Sequence, residues 1–373
     1  MNDEITFEEE TFEYEPEAGD AMEFGDQEAE TAVAAGPKVP HPQFGMVTPL
    51  SQEFGDMETY ESADLSEAGG KVPHPQFGLV TPLGRQGETT EDFESMDESE
   101  GEEELAYEAV DEEILGGDER YRVSRTTVKP CRWICYLEMR FPGFLATGTG
   151  LLISPRHVLT CSHNLFLPRT RTPAVSVHVT PGCNGVGNRP FGRHLAASWR
   201  ITDEFRNTGS ARHDFALITL RTPIGNQRQR KLAGRPLGYW SKTSSGTTIL
   251  LTRPGEPRLR GKRATLGGYP GDKPDGEQWG AKGQIVSTTP AAGRELFYYT
   301  MDSCAGHSGS PVWIRRGTKI GLVGIHTGSC IPGTDCREVG PSKCRNTPTR
   351  RETTSNRAVL ITPQLWTRVR GWM

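Results

Sequence analysis

The distribution of charge along the chain confines a packed fold to its C-terminal two thirds. Residues 1–113 contain 33 Asp and Glu but only 3 Lys and Arg, whereas residues 114–373 contain 15 acidic and 39 basic residues. A segment with a net charge of −30 and few Val, Ile and Leu residues cannot bury enough apolar surface to offset the conformational entropy lost on ordering. The sequence therefore predicts a disordered acidic arm at 1–113 and one folded body at 114–373.

The acidic arm contains one thirteen-residue phrase twice. KVPHPQFGMVTPL begins at Lys38 and KVPHPQFGLVTPL begins at Lys71, and the copies differ only in Met46 and Leu79. Two copies are too few for a solenoid, and the prolines in each copy favour extended backbone. One interpretation is a docking or delivery tag that is read by a partner or by the body itself. The alternative is a duplication tolerated within a disordered segment.

Short runs of β-branched and aromatic residues alternate with turn sequences throughout the body. The runs include TGTGLLIS, VSVHVT, DFALITL, LFYYTM and GLVGIHTG, and turns such as TPGCNG and GYPGDKPDG separate them. This pattern is typical of an all-β sandwich or barrel. Only the C-terminal ITPQLWTRVRGWM predicts a helix, because Thr362 can cap its start and Pro363 suits the first helical position.

The phrase MDSCAGHSGSPVW, at Met301–Trp313, contains a candidate nucleophile. A serine hydroxyl needs a base oriented by an acid, and backbone N–H groups must meet the developing oxyanion. Gly306 and Gly309 permit a tight backbone path on which the amides of Gly306 and Ser308 can converge. The motif alone is weak, because its α/β-hydrolase version requires a strand–turn–helix context and Pro311 begins a strand-like run instead.

Two further phrases offer the base and the acid. SPRHVLTCSHNLF places His163 just after an apolar run, and ARHDFALITL places Asp214 at the head of another. Taken singly, each is more often an ordinary surface or turn residue. The chain order His, Asp, Ser is that of chymotrypsin-like enzymes. The order and the contexts together predict that His163, Asp214 and Ser308 act as one catalytic group.

On these motifs the body resembles the bacterial glutamyl endopeptidases, a branch of the chymotrypsin-like serine proteases. The likeness covers about 250 residues, from ILGGDERYRV to NRAVLITPQLW, and includes TPGCNGVGNRPFG, GGYPGDKPDGEQW and GIHTG. It implies a chymotrypsin-like double antiparallel β-barrel with a C-terminal helix and a site in the cleft between the barrels. It also implies His163 as general base, Asp214 as its orienting acid, Ser308 as nucleophile, and the amides of Gly306 and Ser308 as the oxyanion hole.

The resemblance further implies cleavage after Glu, with Asp second. His326 stands at the place of a pocket histidine, and Ser303 stands where a hydroxyl helps it hold a carboxylate; an imidazole can donate to a carboxylate, which favours its charged form. The body's net charge of +24 fits acidic substrates, and equally fits binding of the acidic arm. An acid at the place of Asp302 selects Lys or Arg in trypsin-type enzymes, so a Lys/Arg-specific protease is the alternative.

The junction between arm and body implies a zymogen. Glu112 and Glu113 directly precede Ile114, and ILGG looks like the mature start of a trypsin-type protease. An enzyme that cuts after Glu could release itself near Glu113, and the freed Ile114 could then approach the specificity pocket. His307 stands where trypsins carry the Asp that pairs with the new N-terminus, so that pairing is not expected. A simple strand start at Ile114 is the alternative.

All eight cysteines lie in the body, and an even count in a loop-rich segment favours disulfides and an extracellular destination. The resemblance implies a Cys304–Cys330 disulfide beside the pocket, and Cys336–Cys344 would close a short loop. Buried free thiols are the alternative, and no pairing is assigned to Cys131, Cys135, Cys161 or Cys183. The start MNDEITFEEE lacks the basic and apolar regions of a signal peptide, so secretion by another route is expected.

The remaining features predict protein or peptide substrates, a monomer, and no cofactor, metal, nucleic acid or membrane. No Cys or His run has zinc spacing, no nucleic-acid recognition motif is present, and no run reaches the ~18 apolar residues of a membrane span. A non-catalytic β-barrel binding module, with the arm as its interaction part, is the alternative from a different class. The loss of a triad residue would indicate such a module, and all three residues are present.

Overall fold

The computed structural model describes residues 39–41, 45–47, 71–74, 77–83, 113–115, 117–241, 246–252, 259–288, 296–330, 345–347 and 355–373. The chain divides into two units, residues 1–57 and 58–373. Among the described residues, no helix is long and apolar enough to cross a membrane.

Both copies of the repeat form the same small hairpin, although the sequence predicts disorder there. In the first unit, β1 (Val39–His41) pairs antiparallel with β2 (Gly45–Val47). In the second unit, β3 (Val72–His74) pairs antiparallel with β4 (Gly78–Pro82). The registers correspond residue for residue, because the sequences of the copies are nearly identical.

Two short strands precede the barrels. The strand β5 (Glu113–Leu115) pairs in parallel with residues 345–347, and β6 (Tyr121–Arg122) pairs with residues 279–280 of the second barrel. The chain that follows the acidic arm is therefore held by strand pairing at two points.

The first barrel is a closed antiparallel sheet of six strands. Its elements, with a small hairpin and a one-turn helix between them, are β7 (Ile134–Phe141), β8 (Phe144–Leu152), β9 (His157–Thr160), β10 (Phe166–Leu167), β11 (Thr172–Pro173), β12 (Ser176–Pro181), β13 (His194–Ile201), α1 (Asp203–Thr208) and β14 (Ala216–Leu220). The barrel runs in the order β8, β7, β12, β13, β14, β9 and closes where β9 pairs with β8. β4 lies outside this closed order and pairs with the start of β8. Its core contains Leu137, Leu151, Leu159, Val177 and Ile218, all fully buried.

The second barrel repeats this architecture after three short strands. These are β15 (Arg228–Gln229), β16 (Arg235–Pro236) and β17 (Thr247–Ile249), and the rest of the body contains β18 (Arg263–Gly268), β19 (Trp279–Thr288), β20 (Leu296–Tyr299), β21 (Pro311–Arg316), β22 (Lys319–Cys330), β23 (Arg345–Thr347) and β24 (Ser355–Leu360). The order β22, β21, β18, β19, β20, β24 closes where β24 pairs with β22. The predicted all-β double barrel is confirmed.

The C-terminal helix α2 (Pro363–Trp372) begins as predicted. The hydroxyl of Thr362 accepts a hydrogen bond from the amide of Leu365 at 3.1 Å, and Pro363 occupies the first turn. Leu365 and Val369 are buried against the first barrel's core, and the Trp372 ring stacks on Phe215 with centroids 5.7 Å apart. The helix therefore supports the start of β14, next to Asp214.

Candidate active site

His163 and Asp214 lie together at one end of the first barrel. The pairing of β9 with β14 brings the turn at Ser162–Asn164 beside Asp214, which lies two residues before β14. Nδ1 of His163 lies 2.6 Å from Oδ2 of Asp214, and the backbone N–H of His163 donates to Oδ1 at 3.0 Å. Because a carboxylate accepts this bond, Nδ1 carries the proton and Nε2 is the basic nitrogen. Both side chains are buried.

Ser308 lies where the two barrels meet. Its carbonyl accepts hydrogen bonds from the backbone N–H of Thr149, in β8, and from the side-chain amide of Asn164, each at 2.9 Å. Since Asn164 follows His163 directly, this network brings all three residues of the predicted catalytic group to one place. Asn164 was not predicted from the sequence. The available signal was its position directly after the candidate base His163.

The backbone around Ser308 requires glycine at two positions. Gly306 has φ +100° and Gly309 has φ +88°. A Cβ added at Gly306 would lie 2.4 Å from the carbonyl oxygen of Tyr269, and one at Gly309 would lie 2.0 Å from that of Thr149. The left-handed backbone and the close contacts exclude any side chain. This finding agrees with the tight path predicted from GHSG.

His326, in β22, lies beside the Ser308 segment. Its backbone N–H donates to the carbonyl of Ser310 at 2.9 Å, and its carbonyl accepts from the N–H of Gly309 at 2.8 Å. The ring is fully buried, and the hydroxyl of Tyr299 is hydrogen-bonded to its Nδ1. Tyr299 was not predicted from the sequence, which gives no sign that β20 and β22 both pair with β24.

Ser303 and Asp302 have different surroundings. The hydroxyl of Ser303 is buried and has no hydrogen-bond partner among the described residues, as expected for a group that meets a ligand. The carboxylate of Asp302 instead accepts the backbone N–H of Glu119 at 2.8 Å. Asp302 therefore ties the start of the body to the loop before Ser308.

His307, directly before Ser308, is fully buried. Burial holds its pKa well below the usual range, and the positive charge of Arg120 acts in the same direction. Its Nδ1 accepts the backbone N–H of Cys304 at 3.2 Å. The absence of a trypsin-type ion pair between His307 and a new N-terminus stays a prediction.

Ile114 is buried in β5, with the backbone of Asn346 opposite it. The roles predicted for Ile114, Glu112 and Glu113 depend on cleavage and stay predictions. Glu112 lies outside the described residues, as do Cys336 and Cys344, and only the backbones of Glu113 and Cys330 are described. The two proposed disulfides therefore also stay predictions.

In the described part of the chain, four cysteines are not joined in disulfides: Cys131, Cys135, Cys161 and Cys183. The Sγ of Cys161 lies 3.5 Å from Nε2 of His163. Among the described residues, Cys161, His163 and Asp214 are the one group of possible metal ligands whose donor atoms lie within 4.8 Å of one another. The sequence gives no zinc-like spacing here, because the carboxylate comes from a distant strand.

Comparison with known proteins agrees with this geometry. Residues 148–325 match the family described as trypsin-like peptidase domain. The glutamyl endopeptidase of Bacillus licheniformis is 29% identical over 227 residues, which cover 59% of this chain and 62% of that protein. A Bacillus subtilis protein named extracellular metalloprotease is 26% identical over 220 residues, covering 57% and 62%.

A solved structure of a Glu endopeptidase in complex with MPD has a TM-score of 0.52 and 25% identity, and the match covers 69% of this chain and 99% of that chain. The matches with these two curated relatives cover 62% of each relative's length. Two closed barrels with a buried His–Asp pair beside a serine are the arrangement expected of a trypsin-like peptidase domain, and the chain is similar to that family over residues 148–325. The chain is also similar to glutamyl endopeptidases, which confirms the resemblance found in the sequence.

Proposed function

We propose that the protein is a serine endopeptidase that acts through an acyl-enzyme. The observation that carries this proposal is the 2.6 Å contact between His163 and Asp214 within the network that includes Ser308. Nε2 of His163 takes the hydroxyl proton as Oγ of Ser308 attacks the peptide carbonyl, and the imidazolium then protonates the leaving amine. Asp214 holds the Nδ1–H and stabilises the imidazolium. Water hydrolyses the acyl-enzyme by the same proton route.

The amides of Gly306 and Ser308 are the proposed oxyanion donors. The left-handed backbone at Gly306 supports this assignment, as does the hydrogen bond from the Thr149 hydroxyl to the Gly306 carbonyl at 2.7 Å. Donors that are fixed before the reaction do not need to reorganise as charge develops on the carbonyl oxygen.

We assign to this enzyme a preference for Glu, then Asp, before the scissile bond. The buried His326, held at Nδ1 by Tyr299, would present Nε2 to the substrate carboxylate, and the Ser303 hydroxyl would donate to the same group. The alternative Lys/Arg specificity needs Asp302 in the pocket, but its carboxylate accepts the N–H of Glu119. Relatives named glutamyl endopeptidase support the same preference.

We further propose that residues 1–113 form a pro-segment and that residues 114–373 form the protease domain. The pro-segment is removed by a cut near Glu113. The resulting enzyme acts outside the cell as a monomer. One relative is named as extracellular, which supports the location.

Paired peptides that differ only in the residue before the scissile bond test the activity and its specificity together. We expect kcat/KM to fall in the order Glu, Asp, Gln, with no turnover after Arg, and Ser308→Ala to lose at least ~10³-fold in kcat. Faster cleavage after Arg would establish the trypsin-like alternative. No turnover of any peptide by a folded, processed protein would establish the binding-module alternative.

A further inference from the structure

The acidic residues of the arm surround the two repeats but never interrupt them. Residues 31–52 and 68–87 contain no Asp or Glu, whereas no other acid-free stretch between residues 1 and 113 exceeds three residues. A protease that cuts after Glu and Asp would therefore reduce the arm to very short peptides and two long ones. Each long peptide contains one complete repeat.

The second repeat is packed onto the body. β4 adds to the edge of β8, with Thr81 opposite Leu145, and the N–H of Leu83 donates to the carbonyl of Gly143 at 2.9 Å. This is strand addition, in which main-chain hydrogen bonds provide affinity and side-chain pockets provide specificity. The repeat therefore has a receptor edge on the first barrel.

An aromatic cluster anchors the same repeat. Phe77 is 5% exposed, and its ring lies 5.3 Å from that of Phe141 and 6.0 Å from that of Phe144, centroid to centroid. Val80, in β4, is 3% exposed. Buried aromatic residues contribute most to the energetics of such interfaces, so Phe77 is the main anchor.

An ion pair completes the contact at the other end of the repeat. Nζ of Lys71 lies 2.6 Å from Oδ1 of Asp275 and 3.5 Å from the carbonyl oxygen of Gly271. The N–H of Gly271 in turn donates to the carbonyl of Ala305 at 2.6 Å, next to Gly306. The repeat thus contacts both the first barrel and the loop that supports the oxyanion segment.

We propose that the second repeat is a docking peptide that stays bound to the body after the arm is digested. The docking peptide is residues 68–88 of this chain. This inference depends on the proposed function, because an enzyme that cuts after Glu and Asp would release these residues as one intact peptide. Hydrolysis after Glu67 and after Glu88 consumes one water at each bond, and leaves a new ammonium on Ala68 and a new carboxylate on Glu88. The bound product is then a separate 21-residue chain.

The first repeat offers a matched control within the same molecule. Phe44 and Lys38 occupy in the first copy the positions of Phe77 and Lys71 in the second. Phe44→Ala changes the amino-acid composition and the repeat sequence in the same way as Phe77→Ala. It leaves the contacts of Phe77 with Phe141 and Phe144 intact.

Size-exclusion chromatography of the self-digested full chain, followed by mass spectrometry, tests the proposal. We expect residues 68–88 to elute with the body of the wild type and of Phe44→Ala, and to separate from the body of Phe77→Ala. Docking would be overturned if residues 68–88 separated from the wild-type body. It would also be overturned if the Phe77→Ala body retained them as well as the Phe44→Ala body does. If the arm is not cut after its acidic residues, the proposed specificity fails instead.

Hydrogen exchange of the uncut Ser308→Ala chain tests docking independently of activity. We expect slow exchange at residues 77–83 and 143–147, lost in Ser308→Ala/Phe77→Ala by at least ~10-fold in rate and kept in Ser308→Ala/Phe44→Ala. Equal exchange in both double variants would overturn the docking contact even where the digestion products are as expected.

Discussion

Asn164 donates a hydrogen bond from its side-chain amide to the carbonyl oxygen of Ser308 across 2.9 Å. The same amide donates to the hydroxyl of Thr160 at 3.0 Å, and that hydroxyl donates to the carbonyl of Thr149 at 2.7 Å. The N–H of Thr149 returns to the Ser308 carbonyl. These buried bonds join the turn that carries His163 to the segment that carries Ser308, so Asn164 is a positioning residue of the proposed site.

Asn164→Ala should lower kcat roughly 10- to 100-fold and leave KM nearly unchanged, because small displacements of reacting groups cost rate more than binding. Steady-state kinetics on a Glu peptide measure both constants. Asn184→Ala is the control, since the Asn184 amide also donates to a carbonyl, that of Ser124 at 3.1 Å, but on the surface. An unchanged kcat in Asn164→Ala would contradict the positioning role.

Tyr299→Phe should reduce kcat/KM for Glu peptides about 10-fold, since it removes one buried hydrogen bond to the His326 ring. The His326 ring would then be less well oriented toward the carboxylate of a Glu side chain. A Gln side chain has no carboxylate, so kcat/KM for Gln peptides should fall less. Tyr298→Phe, at the next position of β20, is the control. Equal losses on Glu and Gln peptides would argue against a role of Tyr299 in specificity.

The parts of the fold that could be predicted are those encoded locally. Thr362 with Pro363 fixes a helix start, and the phrases around His163, Asp214 and Ser308 each indicate a strand end or a tight turn. The contacts of Asn164 and Tyr299 could not be predicted, because they join segments that are far apart in the sequence: Asn164 reaches the Ser308 segment, and Tyr299 reaches His326 from the other side of β24. The hairpins of the repeats were missed for another reason. Composition averaged over 113 residues conceals two long stretches without any acid.

Gly309→Ala should abolish activity and destabilise the fold by about 3 kcal/mol or more, because the new Cβ would overlap the Thr149 carbonyl at 2.0 Å on a backbone with φ +88°. Gly317→Ala is the control that measures the loss of stability caused by the left-handed backbone alone. Gly317 also has positive φ, +56°, but a Cβ there meets nothing within 4 Å, so a loss of about 1 kcal/mol is expected. Urea unfolding of the Ser308→Ala background measures both, and equal losses would refute the steric argument.

Stability should fall as the pH drops below the ordinary histidine pKa. Burial, with the positive charges of Arg193, Arg189 and Arg221, lowers the pKa of His178 from 6.5 to about 3. Between these values the unfolded chain binds a proton that the folded chain does not, so the free energy of unfolding rises with pH across this window and levels off above it. His178→Gln should flatten the dependence between pH 4.5 and 7.5, measured by urea unfolding. His213→Gln is the control, and a slope unchanged by His178→Gln would contradict this cause.

Zn²⁺ should inhibit the enzyme through Cys161. The Sγ of Cys161 and Nε2 of His163 are 3.5 Å apart, which is about the separation of sulfur and nitrogen ligands on one tetrahedral zinc with bonds of ~2.3 and ~2.0 Å. A cation there would occupy the nitrogen that must accept the Ser308 proton, so metal would block the base and a chelator would restore it. Cys161→Ala should raise the Zn²⁺ concentration for half-inhibition at least ~10-fold, whereas Cys135→Ala, which removes another buried thiol, should leave it unchanged. Inhibition of equal strength in the two variants would show that zinc binds elsewhere. Stimulation by zinc would contradict an inhibitory site at Cys161 and His163.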